Sequence, residues 1–444
     1  MRPGVDVISR ALPPPRSAPT DTGVAFVVGD TPTGIVPAPP SVALVRSLTE
    51  YVAVFGDRGT GTGQATYDAA DAYFHEGGSQ LYVSRTNPGT LLTAEGQEAE
   101  PPPPAEVPPE DELQKMTRAE LDALATDLGI DPVGFATKAD VVAALGEVTP
   151  LAADATIQAA LDALTKDLGP GQVFIADPTK AAVQANQSAV LAHAVAHNRV
   201  ALLSCIDGTS TVLINAGTAL QSDINARYGA LFAPSAMYPG VVGGTTRFIP
   251  YAAVEAGIIA RNDLTYSPNQ PAAGDLGQSA FALDINGHYT DLEYQNLNNA
   301  SVSMARLMYG GVRTYGYRTC VSSSATPAWV QFGWARLNMA ITAEAEAIGE
   351  HFVFSQLDGR GQTLSEFGGE LSAMLLGYYT EGSLYGTTPQ EAFDVDVGST
   401  VNTPTTIANG ELHAVLSVRM SPDAEWVVIE IVKVASNQAL PAAA

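Results

Sequence analysis

The chain has 444 residues, 46% of them apolar, and its 22 basic residues against 47 acidic ones give a formal net charge of −25 at pH 7. This length predicts two or three domains, because single cores rarely grow beyond about 250–300 residues. The acidic balance argues against sequence-independent binding to nucleic acid or to an anionic membrane surface. The two cysteines, Cys205 and Cys320, form neither a disulfide framework nor a zinc site, and we expect both to be small buried side chains.

The first 15 residues, MRPGVDVISRALPPP, contain no apolar core of the length that a signal peptide needs. No run of about 18 apolar residues occurs, so the sequence predicts no membrane span. We therefore expect the protein to be made and kept in a cytoplasm unless a lysing cell releases it.

Residues 1–22 are predicted to form an extended arm. GVDVIS alternates Val5 and Val7 with polar positions, which favours a short strand, and the proline-rich LPPPRSAPT after it neither packs nor forms a helix. The globular part begins at Val24, where VAFVVG predicts a buried strand. QLYVSR, at residues 80–85, predicts a second strand.

A glycine-rich stretch, FGDRGTGTGQATYDAADAYFHEGG, lies at residues 55–78. A phosphate-binding loop requires Lys and then Ser or Thr after its last glycine, but Thr62 and Gln64 follow the two candidate glycines here. A dinucleotide fingerprint directly after a strand is also missing. The sequence therefore predicts a turn that leads into a helix from about Thr66.

Residues 92–155 interrupt the pattern with an acidic, proline-rich linker and a small helix–loop–helix module at 117–146. The module resembles SAP-like and Rho N-terminal-like helical modules, many of which bind nucleic acid. Residues 111–147 carry only Lys115, Arg118 and Lys138 against eight acids, so a basic patch is absent. A surface decoration or a protein-contact module is the favoured interpretation.

The predicted fold class is an α/β core followed by an α+β C-terminal domain with an antiparallel sheet. Helix and strand alternate after the insertion, and two long helices are predicted at about 333–350 and 362–380. Strands follow at 391–397, 411–419 and 425–434. The predicted units are an arm (1–22), a core (23–91 and 156–330), the tethered insertion (92–155), an assembly domain (331–434) and a tail (435–444).

No catalytic, cofactor-binding or metal-binding residue is predicted. His193 and His197 are four residues apart on a predicted helix, but Ala194 stands where the zincin pattern needs Glu, so we expect a partly exposed helix face. Arg318 beside Thr319 and the pair Arg261 with Asp263 are expected to be structural. The sequence contains no recognisable set of nucleophile, base and orienting group.

Six short motifs in order resemble the contractile tail sheath proteins of tailed phages and related contractile injection systems. They are RPGVDV, SLTEYVAVFGD with ATYDAADAYFHEGGSQLYVSR, FIPYAAVEAGIIARNDLTYSPNQPAAG, LMYGGVRTYGYRTC, LLGYYTEGSLYGTTPQEAFDVDV and NGELHAVLSVRMSPDAEWVVIEI. The resemblance covers nearly the whole chain except residues 92–155.

The resemblance implies a non-enzymatic subunit that polymerises as a helical sheath around an inner tail tube and contracts to drive that tube through a target envelope. It implies baseplate and tail terminator proteins as further partners, no cofactor, no direct contact with nucleic acid, no membrane insertion, and a place in a virion tail or a bacterial injection particle assembled in the host cytoplasm. Terminal arms would donate strands to a neighbour's C-terminal sheet. The residues expected to take part in this exchange are Val5, Val7, Ile8, Val427, Ile429, Ile431 and Val432.

Two other function classes remain open from the residues alone. An enzyme such as an acidic hydrolase would need a cleft with strongly perturbed titratable groups. A nucleic-acid or protein adaptor would act through the module at 117–146, against which the charge argues.

Overall fold

The structure is a computed structural model that describes residues 21–31, 42–58, 63–86 and 155–425. The predicted arm strand, the helix–loop–helix module and the predicted last strand from Trp426 onward lie outside the described residues. Within these ranges no helix is both long enough and apolar enough to cross a membrane.

The strands are β1 (Ala25–Gly29), β2 (Val42–Val45), β3 (Leu81–Arg85), β4 (Gln172–Ile175), β5 (Val200–Ser204), β6 (Gly229–Ala233), β7 (Ala236–Pro239), β8 (Thr246–Ile249), β9 (Asp284–Ile285), β10 (Val302–Met308), β11 (Gly311–Thr314), β12 (Phe393–Asp396) and β13 (Val415–Val418).

The helices are α1 (Leu48–Phe55), α2 (Gln64–His75), α3 (Ala155–Asp162), α4 (Pro178–Ala181), α5 (Gln184–Ala196), α6 (Ser210–Leu220), α7 (Tyr251–Asp263), α8 (Asp291–Asn299), α9 (Phe332–Phe352), α10 (Gln362–Thr380), α11 (Pro389–Ala392) and α12 (Pro404–Ala408). Short 3₁₀ helices occupy Lys166–Leu168, Ala226–Tyr228 and Pro327–Trp329.

Eight strands form the main sheet in the order β11-β10-β6-β5-β4-β1-β3-β2. The inner neighbours from β10 to β3 run parallel, while β2 and β11 pair antiparallel at the two ends. β1 has the sequence AFVVG and is buried along its whole length, as expected for a central parallel strand covered on both faces. A second sheet of three strands has the order β8-β7-β9.

Helices cover both faces of the main sheet. α1, α2, α7 and the first turns of α9 pack on one face, and α3, α5, α6 and α8 pack on the other. Both cysteines are buried in this core, as predicted. The predicted alternation of helix and strand is therefore confirmed.

The described part of the glycine-rich stretch includes the end of α1 and the whole of α2, and positions 59–62 between these helices are not described. α1 ends before Gly56 and α2 begins after Gly63, and both glycines have a φ of 91°, which a residue with a side chain adopts only with strain. α2 begins two residues before the predicted start. Arg58 closes the turn by donating to the buried Asp68 on α2, with 2.7 Å between Nε and Oδ1.

Two carboxyl groups are fully buried between α2, α7 and the main sheet. Glu76 accepts hydrogen bonds from the hydroxyl of Tyr238 and from the backbone N–H of Ala280, 2.8 Å away. Glu255 on α7 accepts only from the hydroxyl of Thr314, and its second oxygen has no partner among the described residues. Burial raises the pKa of Glu255 to about 8.

We expect Glu255→Gln to flatten the pH dependence of stability. The folded-state pKa of about 8 lies above the ordinary value near 4.3. The contribution of Glu255 to the free energy of unfolding is therefore fully present below about pH 4, and it is lost as the pH rises from about 4 through 8. The slope from this group is at most ~1.4 kcal/mol per pH unit. Denaturant unfolding at pH 5, 7 and 9 measures it, with the exposed Glu350→Gln as control; parallel curves for wild type and Glu255→Gln contradict the assignment.

Candidate assembly surface at the open edge of the C-terminal sheet

Helix α9 belongs to two hydrophobic cores. In its first half Phe332, Ala335 and Met339 pack into the core of the main sheet. In its second half Ile341 and Ile348 pack into a separate C-terminal cluster with α10 and the strands β12 and β13. The helix therefore fixes where the C-terminal sheet stands relative to the main sheet.

A buried ion pair holds α9 on the main body. Arg336, which is fully buried, donates from Nη2 to both carboxylate oxygens of Asp263 at the end of α7, at 2.6 and 2.5 Å. The same carboxylate accepts a hydrogen bond of 2.7 Å from the hydroxyl of Thr22, where the described chain begins.

The predicted pairing of Arg261 with Asp263 is wrong. Residues two apart on a helix point in different directions, so Arg261 lies against Glu76 instead, with Nη1 3.3 Å from Oε2. Both residues are structural, but with partners that are distant in sequence.

The strands β12 and β13 form a two-stranded antiparallel sheet in which Phe393 pairs with Val418 and Asp396 with Val415. The alternation seen in the sequence holds. Phe393, Val395, Val397, Leu412, Ala414, Leu416 and Val418 pack on the C-terminal core. The strands predicted at 391–397 and 411–419 are therefore confirmed, with shorter paired segments.

The long connection between β12 and β13 is closed by one buried side chain. Asn402 donates to the carbonyl oxygens of Val397 and His413, at 2.9 and 2.8 Å, and accepts from the N–H of His413 at 2.8 Å. It thus satisfies three backbone groups at the point where the two strands separate.

The outer edge of β13 is unpaired by any described strand. Arg419 donates its N–H to Ala392, on the side of β12. Because successive residues of a strand point their backbone groups to opposite edges, Leu416 and Val418 direct theirs outward. Such an edge can accept another strand.

A groove runs beneath this open edge. Its volume is about 430 Å³, and it is lined by Ala414, Leu416 and Val418 on the strand side and by residues of α9 and α10 on the other. We call it the β13 groove. A strand added to the outer edge of β13 places every second side chain into it.

The α9 wall of the groove is a stripe of small and polar residues, which leaves space beside the strand. It consists of Asn338, Thr342, Ala345 and Glu346, and Gly349 continues it, while the large apolar Ile341 beside them reaches into the C-terminal core. These positions recur at intervals of three and four residues, as one face of a helix requires. This stripe was not predicted, although the sequence shows its small residues at helical spacing.

After β13 the chain is fastened to the main body. Trp334 donates from Nε1 to the carbonyl of Ser421 at 2.9 Å, and Gln331 exchanges two hydrogen bonds with the backbone of Asp423. Burial, reinforced by Glu425, raises the pKa of Asp423 to about 7. Arg318, predicted to be structural, pairs with Glu425.

The predicted exchange residues are not part of the described surface. Val5, Val7, Ile8, Val427, Ile429, Ile431 and Val432 all lie outside the described residues. The docking partners that we predict for the arm strand are the strands at 411–419 and 425–434, and the structure describes the first of them, which contains β13.

One histidine of the pair differs from expectation, while His197 is partly exposed as predicted. His193 is buried and not partly exposed, because α5 packs it against Arg199, with 2.8 Å between Nη1 and His193 Nε2. Burial, together with the positive charge of Arg199, lowers the pKa of His193 to about 3. In the described ranges no group of three or more His, Cys, Asp or Glu residues is placed to hold a metal ion.

No protein-family model matches the sequence, and no curated protein matches it. Solved structures do match. A chain of the PVC sheath complex in its contracted state, from an extracellular contractile injection system, has a TM-score of 0.62 at 14% identity and covers 99% of both chains. This chain has the fold of contractile-particle proteins.

Two structures of the anti-feeding prophage agree with this fold. A chain of its contracted baseplate has a TM-score of 0.65 at 18% identity, covering 97% of this chain and 98% of that one. A chain of its contracted helical sheath has a TM-score of 0.60 at 17% identity, with the same coverages. The similarity thus extends over both the main sheet and the C-terminal sheet.

We expect Asn402→Ala to destabilise the C-terminal sheet selectively. Three partly buried backbone groups lose a partner, at a cost of roughly 1–3 kcal/mol in total. Hydrogen exchange of the amides at 413–418 measures the local loss, and denaturant unfolding measures the global one. The exposed Asn409→Ala is the matched control, and equal exchange in the two variants rules out this role for Asn402.

Proposed function

We propose that this chain is the structural subunit of a contractile sheath, which polymerises as a helical tube around an inner tube and contracts to drive that tube through a target envelope. The observation that carries this proposal is the end-to-end similarity in fold to a chain of a contracted helical sheath, at 97% coverage of this chain. The open strand edge with a groove beneath it supplies the means of linking subunits.

The arm fits this edge by its pattern. Val5 and Val7 are two residues apart, so both side chains point to one face of a strand and enter the β13 groove together. The main-chain groups of the arm pair with the outward groups of Leu416 and Val418, in the manner of strand addition. Each hydrogen bond contributes only roughly 0.5–1.5 kcal/mol.

Charge favours the same docking. Residues 331–425 contain 13 acidic residues against three basic ones, whereas residues 1–20 contain three arginines and one aspartate. The arm is therefore a basic segment in an acidic protein. The predicted strand at 425–434 carries two acids and one lysine and has no such complementarity.

In this proposal residues 1–22 are the arm, 23–91 with 156–330 the core, 92–155 a tethered insertion, 331–434 the assembly domain and 435–444 a tail. The final strand, with Val427, Ile429, Ile431 and Val432, joins the sheet of a second neighbour. Energy is stored in the extended lattice at assembly, so no cofactor acts. The partners are other copies, an inner tube, a baseplate and a terminator, in a virion tail or an injection particle.

The two alternatives have less support. For an enzyme, the buried groups with raised pKa values, such as Glu255, lie inside the core and not in a cleft. For an adaptor, the module at 117–146 is acidic overall. We therefore propose a non-enzymatic role.

Removal of residues 1–20 should leave a folded protein that no longer forms tubes, because each subunit loses the strand that links it to its neighbour. Val5→Pro should have the same effect, since proline removes a backbone donor and disfavours a paired strand. Negative-stain microscopy and sedimentation measure assembly, and Ala18→Pro, outside the strand, is the control. Regular tubes from the truncated protein contradict strand donation.

Ala345→Phe should block assembly from the receiving side. Ala345 lines the β13 groove at the margin of the C-terminal core, so the larger side chain should fill the groove. Denaturant unfolding checks that the variant remains folded. The protein concentration at which tubes begin to form should rise by roughly tenfold or more, equivalent to a loss of ~1.4 kcal/mol of binding free energy per contact. Ala347→Phe, exposed on the same helix and outside the groove, is the matched control; if both variants assemble like wild type, the groove is not the docking site.

A further inference from the structure

A second groove continues the β13 groove past the start of β13. It has a volume of about 550 Å³ and is lined by Phe352, Phe354, Phe367, Ile407 and Leu412 among others. We call it the Phe354 groove. Phe367 lines both grooves, so they meet at this ring.

The walls of the Phe354 groove are aromatic and partly unsupported. The rings of Phe352 and Phe367 pack edge to face with 5.1 Å between their centroids. Phe354 is completely exposed, at 101% of its reference area, and its φ of 65° lies in the left-handed region. For a bulky residue that conformation is an outlier, and such strain concentrates at binding and switch segments.

We propose that the Phe354 groove binds the proline run Pro13–Pro15 of a neighbouring subunit's arm, an inference that rests on the sheath function proposed above. Polyproline segments dock on aromatic-lined apolar grooves because their extended conformation is already formed before binding. The arm contains three consecutive prolines, whereas the chain after residue 425 has one proline in all, Pro441.

The order of segments in the arm matches the order of the two grooves. The stretch of β13 with its preceding residues 412–418 spans ~20 Å at about 3.3 Å per residue, and the arm strand 3–9 has the same length. If the arm runs antiparallel to β13 with residue 3 beside Val418, its residue 9 lies beside Leu412. Arg10, Ala11 and Leu12 span a further ~10 Å at about 3.3 Å per residue, and the prolines then enter the Phe354 groove at ~3.1 Å per residue.

The arginines on either side of the proline run bring positive charge to an acidic region. Arg10 and Arg16 flank the run, and Glu350, Asp358 and Glu411 lie in the segments that border the groove. The prolines supply apolar contact and the flanking arginines supply long-range attraction. The Phe354 groove thus adds an anchor that fixes the register of the arm strand.

A double-mutant cycle with a labelled arm peptide tests this inference. The receptor is the full chain carrying Val5→Pro and with its own Pro13, Pro14 and Pro15 changed to Ala, so that neither part of its own arm competes. The probe is a fluorescent peptide of residues 1–18. Binding is compared for the native peptide and for one with Pro13, Pro14 and Pro15 changed to Ala. The receptor is used as such, with added Phe354→Ser, or with Tyr309→Ser as the matched control, since Tyr309 is another exposed aromatic residue with positive φ.

We expect each change, the alanine peptide or Phe354→Ser, to weaken binding at least tenfold, and the two together to weaken it little further. Tyr309→Ser should leave the affinity unchanged. Equal affinities of the two peptides, no effect of Phe354→Ser, no binding of either peptide, or displacement by a peptide of residues 426–444 overturns the inference. If the wild-type protein forms tubes but the peptide binds equally well without its prolines, the groove inference is wrong and the sheath function stands. If peptide binding depends on the prolines but the wild-type protein forms no tubes, only the sheath function is refuted.

Discussion

The buried ion pair between Arg336 and Asp263 determines how the two halves of this molecule are joined. A fully buried guanidinium needs a partner for its charge, and removal of one partner from such a pair is strongly destabilising. Both terminal nitrogens of Arg336 are hydrogen-bonded, whereas its Nε has no partner among the described residues. Here the partners lie on α7 and on the loop after it, so α9 can seat its first half in one place only. The C-terminal sheet packs on the second half of α9, so the position of α9 also determines the orientation of that sheet.

The same helix also forms one wall of the β13 groove, where we propose that the arm docks. Its buried face holds the C-terminal cluster together, and its adjacent stripe of small residues forms one wall of the β13 groove. A single element therefore determines both the stability of the small sheet and the space beside it. An isolated two-stranded sheet is marginal in water, and here packing on α9 and α10 compensates for the missing strands.

Much of the fold could be predicted from the sequence, because the signals were local. The buried run VAFVVG, the caps and periodicity of the long helices, and the alternation through Phe393 and Leu416 all depend on neighbours within a few positions. The small sheet of β7, β8 and β9 was not predicted, since its strands are four residues or fewer. The partners of Asp263 and the burial of His193 were missed for another reason: both depend on contacts with residues distant in the chain or on a turn that reverses it.

The site shows the same division. The strand whose edge is open was found by its alternation, whereas the groove below it arises only when α9 is placed beside β13. The residues that line the groove form no recognisable motif. Their spacing does not distinguish a helix face that packs against its neighbours from one that leaves a groove open for another strand.

Thr22 gives the arrangement a mechanical meaning. Its hydroxyl is bound to the same carboxylate that holds Arg336, so the root of the arm and the root of α9 meet at one rigid point. In the proposed sheath, a pull on the arm and a pull on a strand held by the C-terminal sheet would both reach Asp263. Force between neighbouring copies would then enter each subunit at one point, the end of α7, where the start of the described chain and α9 meet.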